Sequence, residues 1–115
     1  MIKIEFGIIE NILRDKDYSS YEPEKYNCVV IDDDLYINDW WEKLILMKTY
    51  FHNLNTHNYG LDRWGVTLIP PESLPYFQEI VISDKRIKKD HHLVDLANKI
   101  QDAIERQKYM IHFGV

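Results

Sequence analysis

Residues 64–115 constrain the fold more than any other stretch of the chain. Hydrophobic side chains recur there first with the period of two of a strand, then with the period of about 3.6 of a helix, and finally with a period of two again. Trp64, Val66 and Leu68 alternate with other residues, which predicts a strand over residues 63–69 with these three side chains on one face. Pro70 and Pro71 end that strand because proline has no backbone donor. The remaining elements predicted here are a short helix from just before residue 75 to residue 82, a helix over residues 91–107 and a strand over residues 109–115.

The first half of the chain predicts further strands and one more helix. Residues 2–8 alternate with a period of two, residues 14–26 lack any period, and residues 28–31 form a short apolar run. The three aspartates at 32–34 predict a polar turn of a hairpin, with residues 35–37 as the return strand. Asn38 or Asp39 then caps a helix whose stripe is Trp40, Leu44, Met47, Phe51 and Leu54.

These elements predict one α+β domain over residues 1–115, a mostly antiparallel sheet of four to five strands packed by three helices. A length of 115 residues suits one domain, and the apolar share of 45% excludes a disordered chain. The longest strictly apolar run is only residues 44–47, and the N-terminus is charged at every second position, unlike a signal peptide. We therefore expect a cytoplasmic protein.

The negative charge is concentrated in the first third of the chain. Residues 1–42 carry 11 acidic and 4 basic side chains, a net charge of −7, whereas residues 43–115 carry 8 acidic and 10 basic ones. An acidic surface repels nucleic acid and membrane headgroups and attracts basic partners. The distribution therefore favours a basic protein partner over direct binding to nucleic acid or a membrane.

The second half of the chain resembles a known class of proteins over residues 61–115. The resemblance consists of a Trp64-Gly65 strand ending in Ile69-Pro70-Pro71-Glu72-Ser73-Leu74, two helices, and the closing run Ile111-His112-Phe113-Gly114-Val115. In these features it is similar to the small α+β immunity proteins of bacterial polymorphic-toxin and contact-dependent growth inhibition systems. Both glycines suit positions of close backbone approach.

The resemblance implies a toxin inhibitor without chemistry of its own. We expect it to bind one cognate protein toxin, a basic nuclease domain being the expected target, and to be a monomer or weak homodimer when free. Tyrosines interleaved with carboxylates are typical of a surface that binds a basic partner. The residues expected to contact the toxin are Glu22, Glu24, Asp32, Asp33, Asp34, Tyr36, Asp39 and Trp41.

Two of these features have alternative interpretations. Asp32, Asp33 and Asp34 could instead bind a hard cation such as Mg²⁺, or form only a solvated turn. Consecutive residues on a strand point to opposite faces, which argues against convergence on one ion. Trp41 is either an exposed interface anchor or the edge of a wide core stripe. The rivals to an immunity protein are accordingly a small metal-dependent hydrolase using the three aspartates, and an adaptor that dimerises through the outer face of the final strand.

No other pattern predicts a catalytic, cofactor or metal site. The five histidines lack zinc-ligand spacing, and His112, on the strand face opposite the core residues, is expected to be structural or solvated. The basic run at residues 85–89 is expected to be a solubilising connector. Cys28, the single cysteine, excludes an intrachain disulfide and is expected to be an inert core thiol.

Overall fold

Six antiparallel strands form a single sheet in the computed structural model, which describes residues 2–115. The strands are β1 (Lys3–Ile9), β2 (Val29–Asp32), β3 (Lys48–Phe51), β4 (His57–Tyr59), β5 (Val66–Ile69) and β6 (Tyr109–Phe113). Their order across the sheet is β2-β1-β6-β5-β3-β4. The first and last strands of the chain are therefore neighbours in the interior of the sheet, with Phe6 opposite His112.

Three helices cover one face of the sheet. They are α1 (Asn38–Leu44), α2 (Leu74–Ile82) and α3 (His91–Arg106). Ile4, Phe6 and Ile8 of β1 point into the main core, where they meet Phe77 of α2 and Ile100 of α3. The α+β class, the antiparallel sheet and the three helices are confirmed, and the sheet has six strands instead of four to five.

The opposite face of the sheet is covered by the long loop over residues 10–28. Tyr18 and Tyr26 from this loop form a second core with Ile111 and Phe113 of β6. Gly7 of β1 lets the loop approach, because a Cβ atom there would lie 2.6 Å from the carbonyl oxygen of Tyr26. Both faces of the central strands are thus buried in a chain of only 115 residues.

The predicted hairpin at residues 28–37 is wrong. After β2 the chain makes a π-helical turn, Asp33–Ile37, which runs directly into α1. The side chain of Asp32 caps this turn by accepting a hydrogen bond from the backbone N–H of Leu35 at 3.3 Å. Aspartates favour a helix N-terminus because their carboxylates accept its free N–H groups and interact well with its dipole.

The long helix predicted over residues 39–54 is also wrong. Helix α1 ends at Leu44, and residues 48–51 form β3, which pairs with both β4 and β5. Trp40, Leu44 and Met47 are buried as predicted, but only Trp40 and Leu44 lie in α1, and Met47 is buried from the bend just before β3. The sequence Lys-Thr-Tyr-Phe of β3 has the β-branched and aromatic residues that favour strands.

Two further expectations about strand faces are corrected. Strand β5 begins at Val66, and Trp64 lies before it in a loop with 76% of its surface exposed, not on the core face. Strand β6 lies between β1 and β5 and is buried on both faces, because the loop over residues 10–28 covers its outer side. Dimerisation through an open face of the final strand is therefore not available to this fold.

No helix within residues 2–115 combines the length and the apolar character needed to cross a bilayer.

Ile100 tests the packing of α3 against the sheet. Its side chain is fully buried in the main core, so Ile100→Ala should lower the free energy of unfolding by about 2–5 kcal/mol. Val94 lies on the same helix but is exposed, and Val94→Ala is the matched control with an expected loss below about 1 kcal/mol. Urea unfolding of both variants measures the difference, and equal losses would contradict this packing.

Candidate functional site

An exposed, acidic face runs along the π turn, α1 and the turn that follows. It consists of Asp34, Leu35, Asp39, Glu42 and Leu46, which we call the α1 face. Asp39 and Glu42 are three residues apart in α1 and so share one side of it, while Asp34 and Leu35 lie in the preceding π turn and Leu46 lies in the turn that follows. The opposite side carries the buried Tyr36, Ile37, Trp40 and Leu44.

The three consecutive aspartates have three different environments. Asp33 is buried, with 3% of its surface exposed, and forms an ion pair with Arg63 at 2.9 Å. Asp32 is half-buried and caps the π turn. Only Asp34 is fully exposed, and it forms no ion pair within the described residues. The alternative of a plain solvated turn therefore does not describe Asp33, and among the described residues the three carboxylates do not form a metal-binding group.

Tyr36 and Trp41 do not stand out as exposed anchors. Tyr36 is buried, stacks on Trp40 with ring centroids 5.4 Å apart, and donates its hydroxyl hydrogen bond to Asp90. Trp41 is half-buried against the main core, and the guanidinium of Arg63 lies 5.4 Å from its ring centre. Of the two alternatives for Trp41, this position matches the edge of a wide core stripe.

Glu22 and Glu24 lie away from the α1 face. Both belong to the loop over residues 10–28, which covers the other side of the sheet. Glu22 forms an ion pair with Lys25 at 3.1 Å, while Glu24 is exposed. The eight residues proposed from the sequence therefore do not form one surface, and Asp34 and Asp39 are the exposed ones among those on β2, the π turn and α1.

A polar network centred on Arg86 fixes the α1 face to the connector before α3. Arg86 forms ion pairs with Asp84 at 2.6 Å and Asp39 at 3.0 Å, and it donates a hydrogen bond to the carbonyl oxygen of Leu35 at 3.1 Å. The hydrogen bonds from Arg86 lower the pKa of Asp84 to about 2. Trp40 donates its indole N–H to the same carboxylate at 2.9 Å. The basic run at residues 85–89, expected to be only a connector, thus supplies a structural anchor.

One group of metal-ligating side chains comes together within residues 2–115. The ligand atoms of Asp90, His91 and His92 lie within 4.8 Å of one another at the start of α3. Both carboxylate oxygens of Asp90 already accept hydrogen bonds, one from the backbone N–H of His92 and one from the hydroxyl of Tyr36. A helix N-terminus carries partial positive charge, which disfavours a cation. The arrangement therefore serves to cap α3.

A groove of about 470 Å³ opens at the end of the sheet where β1 begins and β6 ends. It contains four large apolar side chains that are at least partly exposed, and we call it the Trp64 groove. It is lined by Ile2, Lys3, Ser19, Tyr21, Trp64, Gly65, Gly114 and Val115. It adjoins the π turn, because the backbone N–H of Asp33 donates to the carbonyl oxygen of Ile2 at 2.7 Å.

Two titratable side chains are structural. Cys28 is half-buried beneath the loop, and burial raises the pKa of its thiol to about 12, which agrees with an inert role. His112 is buried on the helix side of β6, with its ring 5.1 Å from that of Phe6. Its Nδ1 is hydrogen-bonded to Thr67 at 3.1 Å and its Nε2 has no partner among the described residues. Burial lowers its pKa from 6.5 to about 3, so the folded protein holds a neutral imidazole.

His112 should make stability depend on pH. Because its pKa is lowered in the folded protein, the neutral imidazole makes its full contribution to the free energy of unfolding above pH 6.5. That contribution is lost as the pH falls toward 3. Between pH 7 and pH 4.5 this group should cost about 2–3 kcal/mol of unfolding free energy. His112→Leu should remove that part of the pH dependence, whereas His57→Ala, at an exposed position, should retain it. Urea unfolding at the two pH values checks this, and an unchanged slope in His112→Leu would contradict it.

The comparisons with protein-family models, curated proteins and solved structures give no match. The site must therefore be judged from its own geometry. Sequence patterns missed the Trp64 groove and the Arg86 network because both join residues far apart in the chain. One signal was present for the groove: a tryptophan beside a glycine directly before a buried strand, which is typical of a loop as well as of a strand start.

Proposed function

We propose that this chain is an immunity protein that binds one cognate toxin in the cytoplasm and blocks its basic active-site cleft. The observation that supports this most is the α1 face, a segment that exposes Asp34, Asp39 and Glu42 together with Leu35 and Leu46. Its negative charge is complementary to the cleft of a nuclease, which must attract phosphate.

The α1 face is suited to binding because it is fixed before any partner arrives. Arg86 holds both the carbonyl of Leu35 and the carboxylate of Asp39, and the Asp33–Arg63 ion pair holds the turn from the other side. A prearranged surface loses less conformational entropy on association, so more of the interaction energy appears as affinity.

The composition of the face matches an interface in which apolar contact and charge act together. Leu35 and Leu46 are 47% and 71% exposed and supply apolar area at its two ends. Asp39 is 63% exposed even though it contacts Arg86, and Asp34 and Glu42 form no ion pair within residues 2–115. Carboxylates in this state attract a basic partner over a distance and raise the association rate.

Charge reversal on the α1 face tests the proposal. The double variant Asp34→Lys with Glu42→Lys should weaken binding to the cognate toxin domain by several kcal/mol, because it places like charges against a basic cleft. Wild-type association should slow as salt is added, and that salt dependence should diminish in the variant. Stopped-flow association, calorimetry and protection of cells from the toxin provide the measurements.

The matched control has the same change in net charge at a different place. Asp95 and Glu105 are exposed on α3, and Asp95→Lys with Glu105→Lys should leave toxin affinity unchanged. Asp33 is left intact in both variants because it is buried in an ion pair. Full affinity and full protection with the α1-face variant would contradict the proposed contact surface, and the absence of any binding by the wild type would contradict the proposed function.

A further inference from the structure

The Trp64 groove concentrates apolar surface that the fold itself does not use. Trp64 is 76% and Tyr21 67% exposed, and Ile2 and Val115 line the same groove with about two fifths to half of their surfaces exposed. Tryptophan is normally highly buried, and grouped exposed apolar side chains mark interaction sites on soluble domains.

The loop that presents Trp64 is held on several sides. The carboxylate of Asp62 accepts a hydrogen bond from the backbone N–H of Trp64 at 3.3 Å and bonds the ring of His52 at 2.8 Å. The backbone N–H groups of Gly114 and Val115 donate to this loop, each at 2.8 Å. Hydrogen bonds therefore hold the backbone of the loop around Trp64, while the indole ring itself is exposed.

The other wall of the groove is also fixed. The hydroxyl of Tyr21 donates a hydrogen bond to Glu5 at 2.6 Å, which raises the pKa of Tyr21 to about 12, and its ring meets Phe113 edge-on. Gly65 and Gly114 also line the groove, and both allow close packing against the loop that presents Trp64. Cβ atoms there would lie 2.5 Å from the Asp62 carboxylate and 2.3 Å from the Arg63 carbonyl oxygen, respectively.

The charge of the groove differs from that of the α1 face. Lys3 is the one charged side chain among the lining residues, is exposed, and forms no ion pair in the described part of the chain. A groove with rigid aromatic walls is how folded domains bind extended segments, whose side chains seat between the rings. The ammonium group of Lys3 complements a carboxylate next to such a side chain.

We propose that the Trp64 groove binds an extended peptide segment of a partner protein, with an apolar side chain against Trp64 and Tyr21 and a neighbouring carboxylate at Lys3. The inference goes beyond the proposed inhibition of a toxin, because it concerns a different surface, one with an exposed lysine in its lining. Asp33 connects the two surfaces, since its backbone contacts Ile2 and its side chain contacts Arg63.

A random-peptide display library provides the probe. Selection on the wild-type protein, with counter-selection on Trp64→Ala, should enrich peptides that carry an apolar residue next to Asp or Glu. Calorimetry on the synthesised peptides should show that Trp64→Ala and Lys3→Glu each weaken binding by about 10-fold or more. Trp64→Ala should keep the wild-type thermal midpoint because the side chain is mostly exposed.

The control variants are an exposed aromatic residue and an exposed lysine elsewhere. Tyr59→Ala on β4 and Lys48→Glu on β3 should leave peptide affinity unchanged. Failure to enrich any peptide, or equal affinity of enriched peptides for Trp64→Ala, would overturn the groove as a binding site. Enriched peptides without a carboxylate, insensitive to Lys3→Glu, would overturn the assigned ligand chemistry. No toxin is present in this experiment, so neither result depends on the α1-face proposal.

Discussion

The buried ion pair between Asp33 and Arg63 is the interaction on which both candidate surfaces depend. Its carboxylate is almost completely removed from solvent and the two side chains meet at 2.9 Å. The pair joins the π turn, where the α1 face begins, to the loop that presents Trp64, and the same guanidinium lies over Trp41 of α1. Loss of one partner of such a pair leaves a buried charge uncompensated, at a cost of about 3–5 kcal/mol.

The Arg86 network supplies the second attachment of the same segment. Helix α1 has only 7 residues and would not be stable in isolation, so its position must come from tertiary contacts. Buried apolar side chains, the hydrogen bond from Trp40 to Asp84 and the hydrogen bond from Arg86 to the carbonyl of Leu35 supply these contacts. Contacts with Arg63 and with Arg86 therefore both fix the orientation of the helix that carries the acidic surface.

Sequence periodicity predicted the elements whose pattern is long or strongly bounded. Helix α3 has a stripe over four turns, α2 has Pro75 in its first turn, and β1 alternates cleanly, so each was found close to its actual bounds. The failures lie in residues 32–59, where Met47 and Phe51 fit a helical stripe but belong to a turn and a strand. Short elements such as the three-residue β4 depend on strand pairing, which a local pattern does not contain.

The candidate site was predictable only in part, for a related reason. The excess of negative charge in the first third is a property of composition, and Asp34 and Asp39 do form an exposed acidic surface. Which aspartate is exposed depends on Arg63, 30 residues further along the chain, and no spacing rule connects it to Asp33. Trp64 was assigned to a core face because alternation continues through it, whereas the side chain of Asp62 fixes its backbone outside the strand.

Hydrogen–deuterium exchange can show directly whether a protein partner binds along the α1 face. The protein would be compared alone and in complex with the toxin domain that the proposed function requires. Amide exchange is expected to slow across residues 33–46 in the complex, with the exchange of α3 residues 91–106 unchanged. Slowed exchange confined to α3 or to the loop over residues 10–28, with residues 33–46 unaffected, would contradict it.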